Sequence, residues 1–248
     1  MGKRMTRTGA RAAYGKVYTA TMNNERDARI GPTAHYTAHV WHRLGLPHAE
    51  LFATPTGRRL FWSFRLAGEW VAAAAPRVPS MVQYLELRHR LIEHSLDALD
   101  PDRIVEIGAG LSRRGLTWAA DRSVSYLEVD LPHMVQSKAT CLARAAESVQ
   151  QRAGGRLAQA SFDVLDPGFS GFLTEQLQGS QRPAVVAEGL LGYFPMDERL
   201  AVARAVAGAL RSIGGGQLIC DLRAREGGRQ IAAAASVLRM GIRLATRG

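Results

Sequence analysis

From residue 101 onward, short apolar runs alternate with longer stretches whose apolar positions recur at helical spacing. The runs at 103–107, 124–129, 156–161, 184–188 and 217–221 read as buried strands. The stretches at 113–120, 132–152, 169–178, 196–211 and 228–240 read as helices. Strand and helix alternating this way predict an α/β, doubly wound, mainly parallel sheet with right-handed crossovers, covered on both faces. Before residue 100 the pattern is helical only. Asn23 or Asn24 caps a helix running to about Leu44, which Gly45 and Pro47 end. A second helix spans Arg58 to Ala75 and carries Phe61, Trp62, Phe64 and Trp70. A third runs from about Ser80 to Ala98 and stops at Asp100-Pro101. The organisation expected is a basic flexible arm at 1–24, a helical lid at 25–100, and a ligand-binding core at 101–248. Because ligands of open α/β sheets bind at the carboxyl ends of the strands, the lid is expected to pack there.

Composition narrows this picture. A chain of 248 residues with 46% apolar and 22% charged residues suits one sizeable globular core. No apolar run approaches the roughly 18 residues of a membrane helix, so no membrane partner is expected. Cys141 and Cys220 show neither disulfide nor zinc spacing and read as buried free thiols. The net charge of +10 is uneven along the chain. Residues 1–24 hold five basic residues and no acid, and residues 223–248 hold six arginines against one glutamate. The body between them has 21 of each sign, so no nucleic-acid stripe is expected on the fold. The start, Met-Gly-Lys-Arg-Met-Thr, formally matches an acylation pattern and faintly resembles a transit segment. A solvated basic arm and a cytoplasmic location are the expectation; oligomeric state is not legible.

The chemistry concentrates after the first strand. Gly108 and Gly110 make a tight bend with no side chain in the way, so backbone can approach a nucleotide-like ligand. Val124-Ser-Tyr-Leu-Glu-Val-Asp130 ends a second strand in acid, at the distance where a carboxylate reaches ribose hydroxyls. A dinucleotide site would want a third glycine where Arg113 stands, and no phosphate loop exists. What remains fits adenosine carried without phosphates, as in S-adenosylmethionine. An ordinary tight strand-to-helix turn is the alternative at this level.

Further motifs occur in a fixed order. They are Thr33-Ala-His-Tyr-Thr-Ala-His-Val-Trp, Leu87-Arg-His-Arg-Leu-Ile-Glu-His, Glu106-Ile-Gly-Ala-Gly-Leu-Ser-Arg-Arg-Gly, Tyr126-Leu-Glu-Val-Asp-Leu-Pro and Ala187-Glu-Gly-Leu-Leu-Gly-Tyr-Phe. Together they resemble the leucine carboxyl methyltransferase family over about residues 30–225, closest to its bacterial polyketide O-methyltransferase branch. The resemblance implies a Rossmann-like fold, S-adenosylmethionine as cofactor with S-adenosylhomocysteine as product, and a small-molecule acid as substrate. It implies that Arg88 pairs with the carboxylate at the cofactor's methionine end, a task that suits a planar fork. Gly108 and Gly110 would lie under the cofactor and Asp130 at the ribose, with Glu128, two residues earlier, supporting at most. Asp163 and Val164 would sit at the adenine, although Asp163 also reads as a turn cap before Asp166-Pro167-Gly168. Glu188 would face the sulfonium side, and its burial calls for a nearby cation. Tyr193 would reach the acceptor oxygen, with a core aromatic beside Phe194 as the other reading.

His35, His39 and His42 fall on one helical face, where three imidazoles could ligate zinc. No glutamate accompanies them as in a metalloprotease, and transfer to an anionic oxygen needs no metal, so none is expected. His35 is the one that matches the family motif; it reads as facing the substrate or, like the other two, as a packing or surface position.

The activity this implies is methyl transfer to an oxygen, a carboxylate first. A carboxylate is ionised near neutral pH and needs no base, whereas a hydroxyl acceptor would call on His35. After the fifth strand only a helical stretch and an arginine-rich tail remain, where two more strands are usual. A C-terminally shortened, non-catalytic cofactor-binding or interaction protein is the alternative.

Overall fold

The computed structural model describes residues 24–74 and 80–221. The basic arm and the helix expected at 228–240 lie outside the described residues. Three helices come first: α1 (Asn24–Arg43), α2 (Pro55–Ala74) and α3 (Met81–Leu99). Ser80 opens α3 with a reciprocal capping box, its hydroxyl accepting from the Gln83 amide while the Gln83 side chain accepts from Ser80 N–H. Asp100, in left-handed conformation, closes it just before Pro101.

Strands and helices then alternate: β1 (Arg103–Ile107), α4 (Arg114–Asp121), β2 (Ser125–Asp130), α5 (Pro132–Leu142), α6 (Glu147–Ala153), β3 (Leu157–Ser161), α7 (Phe169–Leu177), β4 (Pro183–Ala187), α8 (Met196–Ser212) and β5 (Gln217–Cys220). The sequence pattern places the strands within a residue of these bounds. It fails at 132–152, where one helix is expected and two form. Nothing in Ala143–Glu147 is a helix breaker, so propensity does not explain the gap. Tertiary contacts do: Ala145 is buried, its carbonyl accepts from Gln150 Nε2, and the Arg144 guanidinium donates to the Leu51 carbonyl.

All neighbouring strands are parallel, in the order β3-β2-β1-β4-β5. The chain therefore winds outward in one direction through β2 and β3 and in the other through β4 and β5. The crevice between β1 and β4 is the switch point, where open sheets of this kind receive ligands. Side chains alternate across the sheet. One face carries Val105, Ile107, Val129, Val185 and Ala187 against α7 and α8. The other carries Ile104, Tyr126, Ala184 and Val186 against α4, α5, α6 and Ile92 and Leu96 of α3. Helix α3 thus covers the sheet as well as standing over its rim, and the boundary expected at residue 100 runs through one packed layer. A third cluster, with Tyr36 and Val40 of α1, Leu60 and Phe61 of α2, and Leu85 of α3, joins the three N-terminal helices.

Candidate active site

A cavity of about 340 Å³ opens at the switch point, walled by the segments that follow β1 to β4 and by α1 and α3. Arg88, Gly108, Gly110, Asp130, Asp163, Val164, Glu188 and Tyr193 all line it. His35 does not.

The floor is the glycine loop. Gly108 and Gly110 have φ of 66° and 50°, which L side chains rarely adopt. A Cβ on Gly108 would stand 2.8 Å from Leu190 Cδ1, so the bend also lets the segments after β1 and β4 meet. The loop is tied to β2: Gly108 N–H donates to the Val129 carbonyl at 2.8 Å, and Gly110 N–H to Asp130 Oδ2 at 2.6 Å. Asp130 Oδ1 accepts from Leu131 N–H at 2.7 Å. Burial raises the Asp130 pKa against the pull of those two amides. Each oxygen keeps a second lone pair for a ligand hydroxyl.

Glu128 does not line the cavity. It is buried beneath the strand end, 2.5 Å from Lys138 Nζ and 3.2 Å from Gln159 Nε2. On the next strand, Asp163 holds both of its expected parts: it lines the cavity, and its Oδ1 accepts from Leu165 N–H at 2.9 Å to shape the turn.

Glu188 and Arg88 meet where β4 ends. Arg88 Nε donates to Glu188 Oε1 at 2.9 Å, and Nη1 lies 3.4 Å from Asp221 Oδ2. The cation expected near Glu188 is double, because the Arg114 guanidinium donates to Oε2. Arg114 is fully buried and also holds Glu106 at 2.5 Å and Glu93 at 2.7 Å. His89 lies between Glu188 and Arg113, with Nδ1 3.2 Å from Glu188 Oε2 and Nε2 3.0 Å from Arg113 Nη2. Nδ1 also lies 2.9 Å from Arg114 Nη2, so a neutral ring accepts from one arginine at a time: with Nε2 accepting from Arg113, Nδ1–H donates to Glu188. Burial, then the Arg114 charge, lower the His89 pKa and favour that neutral form. Burial alone would raise Glu188, but the Arg114 charge, the His89 hydrogen bond and the Arg88 charge hold it well below the usual carboxylate range. Sequence reading missed Glu93, Glu106, Arg114 and Asp221. The visible signals were adjacent arginines in an apolar segment after the glycine loop and an acid just past the end of β5.

The remaining candidates lie apart. The Tyr193 hydroxyl donates to Thr33 Oγ1 at 2.6 Å, linking the segment after β4 to α1 across the cavity mouth. His35 Nδ1 lies 2.9 Å from Thr54 Oγ1, which also accepts from Gly57 N–H at 3.1 Å. The ring is therefore used to join α1 to the start of α2, and a substrate-facing role for it has no geometric support. Gly57 packs so closely on α1 that a Cβ there would meet the His35 carbonyl oxygen at 2.2 Å. His39 is buried edge-on to Phe61 at 5.2 Å, and His42 is exposed. Among the described residues no group of three His, Cys, Asp or Glu could hold a metal ion, and no helix is long and apolar enough to cross a membrane.

The sequence matches the model of the leucine carboxyl methyltransferase family over residues 46–207, well over half of the chain. The chain belongs to that family. No curated protein matches the sequence. Similar solved structures include the methyltransferase domain of bacterial CtHen1, 12% identical over 54% of this chain and 63% of that one, with a TM-score of 0.40. An O-methyltransferase family protein from Burkholderia thailandensis is 13% identical over 74% of this chain and 59% of that one, at a TM-score of 0.39. TnmH is 18% identical over 86% of this chain and 58% of that one, at 0.40. This chain spans less than two thirds of the length of each. Membership of the leucine carboxyl methyltransferase family rests on the sequence match, which covers β1 to β4, the glycine loop and α3.

Proposed function

We propose that this leucine carboxyl methyltransferase family member is an S-adenosylmethionine-dependent O-methyltransferase acting on a carboxylate of a small, polyketide-like molecule. One observation carries the reading. Residues from five separate segments, Arg88, Gly108 with Gly110, Asp130, Asp163 with Val164, and Glu188, converge on one cavity at the switch point of the sheet. Their chemistry fits the cofactor's parts: a guanidinium for the carboxylate, a side-chain-free loop for close approach, and carboxylates for the ribose hydroxyls and the adenine amine. S-adenosylmethionine bound there supplies a methyl group already activated by sulfonium charge. The chain's own task is alignment and exclusion of water, with α1 and α3 over the strand ends.

The lining of the cavity supports the acceptor choice. Among the described residues its lining has no histidine and no lysine, and His35 points its ring nitrogen at Thr54 instead. A carboxylate acceptor needs no base, which favours it over a hydroxyl. Tyr36, Tyr84, Phe162, Tyr193 and Phe194 give the lining an aromatic side that suits a ring-bearing acid. Tyr193, which lines the cavity and whose hydroxyl bonds Thr33, is the proposed partner of the acceptor oxygen.

Calorimetry with S-adenosylmethionine and S-adenosylhomocysteine tests the cofactor half, and no binding at millimolar ligand would sink it. A labelled-methyl screen over aromatic acids and phenols tests the acceptor half. Base-labile methyl esters are expected, and base-stable ethers alone would overturn the carboxylate assignment. Binding without turnover of any acceptor would point to a non-catalytic cofactor-binding protein.

A further inference from the structure

The Arg88 guanidinium is held on two sides by carboxylates from different strand ends. Glu188, just past β4, takes Nε at 2.9 Å, and Asp221, just past β5, takes Nη1 at 3.4 Å. Asp221 has a second engagement, because its Oδ1 accepts from Gly189 N–H at 2.5 Å. Gly189 stands at φ 68°, and a Cβ there would lie 3.1 Å from Arg88 Nη1 and 3.2 Å from Nη2. The guanidinium therefore lies flat against the Gly189 backbone. Asp221 closes a ring through Arg88, Glu188 and the Gly189 amide, and that ring is anchored on two neighbouring strands. Nη2 makes no hydrogen bond among the described residues, although Arg88 lines the cavity.

We propose that Asp221 is a positioning residue for ligand recognition: it fixes Arg88 so that the Nη2 edge meets a ligand carboxylate. The inference rests on the S-adenosylmethionine reading above and adds a residue to it. Asp221 does not line the cavity. It acts through Arg88, whose fork is useful for a planar carboxylate only if its rotation is fixed. Glu188 alone fixes one nitrogen and leaves the guanidinium free to swing about that contact. Asp221 supplies the second point.

The test compares two ligands that differ only in the carboxylate: S-adenosylhomocysteine and its decarboxylated form. Wild-type protein is expected to bind the first more tightly by about tenfold or more, the size of a charge-assisted hydrogen-bond pair. Asp221→Asn is nearly isosteric. Its carbonyl oxygen can keep the Gly189 amide, while an NH₂ then faces Nη1 in place of an acceptor. The variant is expected to lose most of that ratio while its affinity for the decarboxylated ligand stays within about twofold. In an Arg88→Gln background the same substitution should change the ratio no further. A purely structural role would weaken both ligands equally, and that result overturns the proposal, as does additive loss in the double variant. Wild-type protein that binds both ligands equally also overturns it, without touching the cofactor reading. Failure to bind either ligand removes that reading and the proposal with it. Should Asp221→Asn fail to fold, Asp221→Glu carries the same test. Its carboxylate sits one methylene further out and cannot keep both contacts, so an unchanged ratio overturns the proposal.

Discussion

The two faces of the sheet are both buried and chemically opposite. Toward α7 and α8 the interface holds Phe169, Leu173, Leu177, Val202 and Val206, and among the described residues no buried charged group packs there. Toward α3, α4 and α5 the layer encloses His89, Glu106, Arg113, Arg114, Glu128 and Lys138. Apolar burial stabilises by area and is indifferent to direction, while a buried charge costs several kcal/mol unless each partner is in place. A fold that needed only stability would resemble the first face on both sides. Two members of the charged layer, Arg114 and His89, bond Glu188 at the cavity wall, which ties part of that layer to holding Glu188 in place.

The sharpest way to break this contrast is Arg114→Leu. It leaves Glu93, Glu106 and Glu188 buried beside neutral volume and should cost about 3–5 kcal/mol in urea unfolding near neutral pH. The pH dependence has a definite sign. Glu188 and Glu93 have depressed pKa values in the folded state, so the stability they contribute is present above the ordinary carboxylate range and is lost as pH falls through their folded values. The wild-type advantage over Arg114→Leu should therefore shrink toward acid. Leu173→Ala on the other face is the matched control. It should cost about 2–5 kcal/mol through a cavity, independently of pH. Its affinity for S-adenosylhomocysteine should not change, whereas Arg114→Leu should weaken it. Equal effects on affinity from both variants would mean that the faces differ in composition but not in role.

The apolar face was the more legible one in the sequence. Its strands are runs of Val, Ile and Ala, and α7 and α8 show plain helical spacing, so their bounds fall within a residue or two of expectation. The glycine loop and the acids that end the strands were legible too, because φ and strand-end position restrict residue type locally. What the sequence pattern hides is pairing across distance. His35 matches a motif yet is taken up by Thr54, nineteen residues on. Arg113 reads as a missing glycine but serves as a donor to His89, twenty-four residues back. Asp221 joins Arg88 across 133 residues. The break between α5 and α6 has the same origin, since Arg144 is drawn to a carbonyl of the segment before α2.

The smallest expected effect concerns a buried charged pair that makes no contact with Glu188. Glu128 and Lys138 are each 2% exposed, 2.5 Å apart, and Lys138 also lies 5.7 Å from the Phe52 ring centroid. Burial pushes the Glu128 carboxyl up to about 7 even though the Lys138 charge opposes it. Here the sign reverses relative to Glu188. A raised carboxylate pKa means the folded state holds the proton more tightly than the unfolded chain, so this contribution is full below the unfolded value of 4.5 and is lost as pH rises to about 7. Replacing both residues, Glu128→Gln with Lys138→Met, removes the titration along with the charges. Stability at pH 8 should then equal or exceed wild type, with a change of about 0–2 kcal/mol, because apolar replacement of a buried pair is commonly neutral or favourable. The decline of stability between pH 4.5 and 7 should flatten in the variant. A double variant that is strongly destabilised with the slope unchanged would show that this pair, like Arg114, is needed where it stands, and that the whole charged face works as one unit.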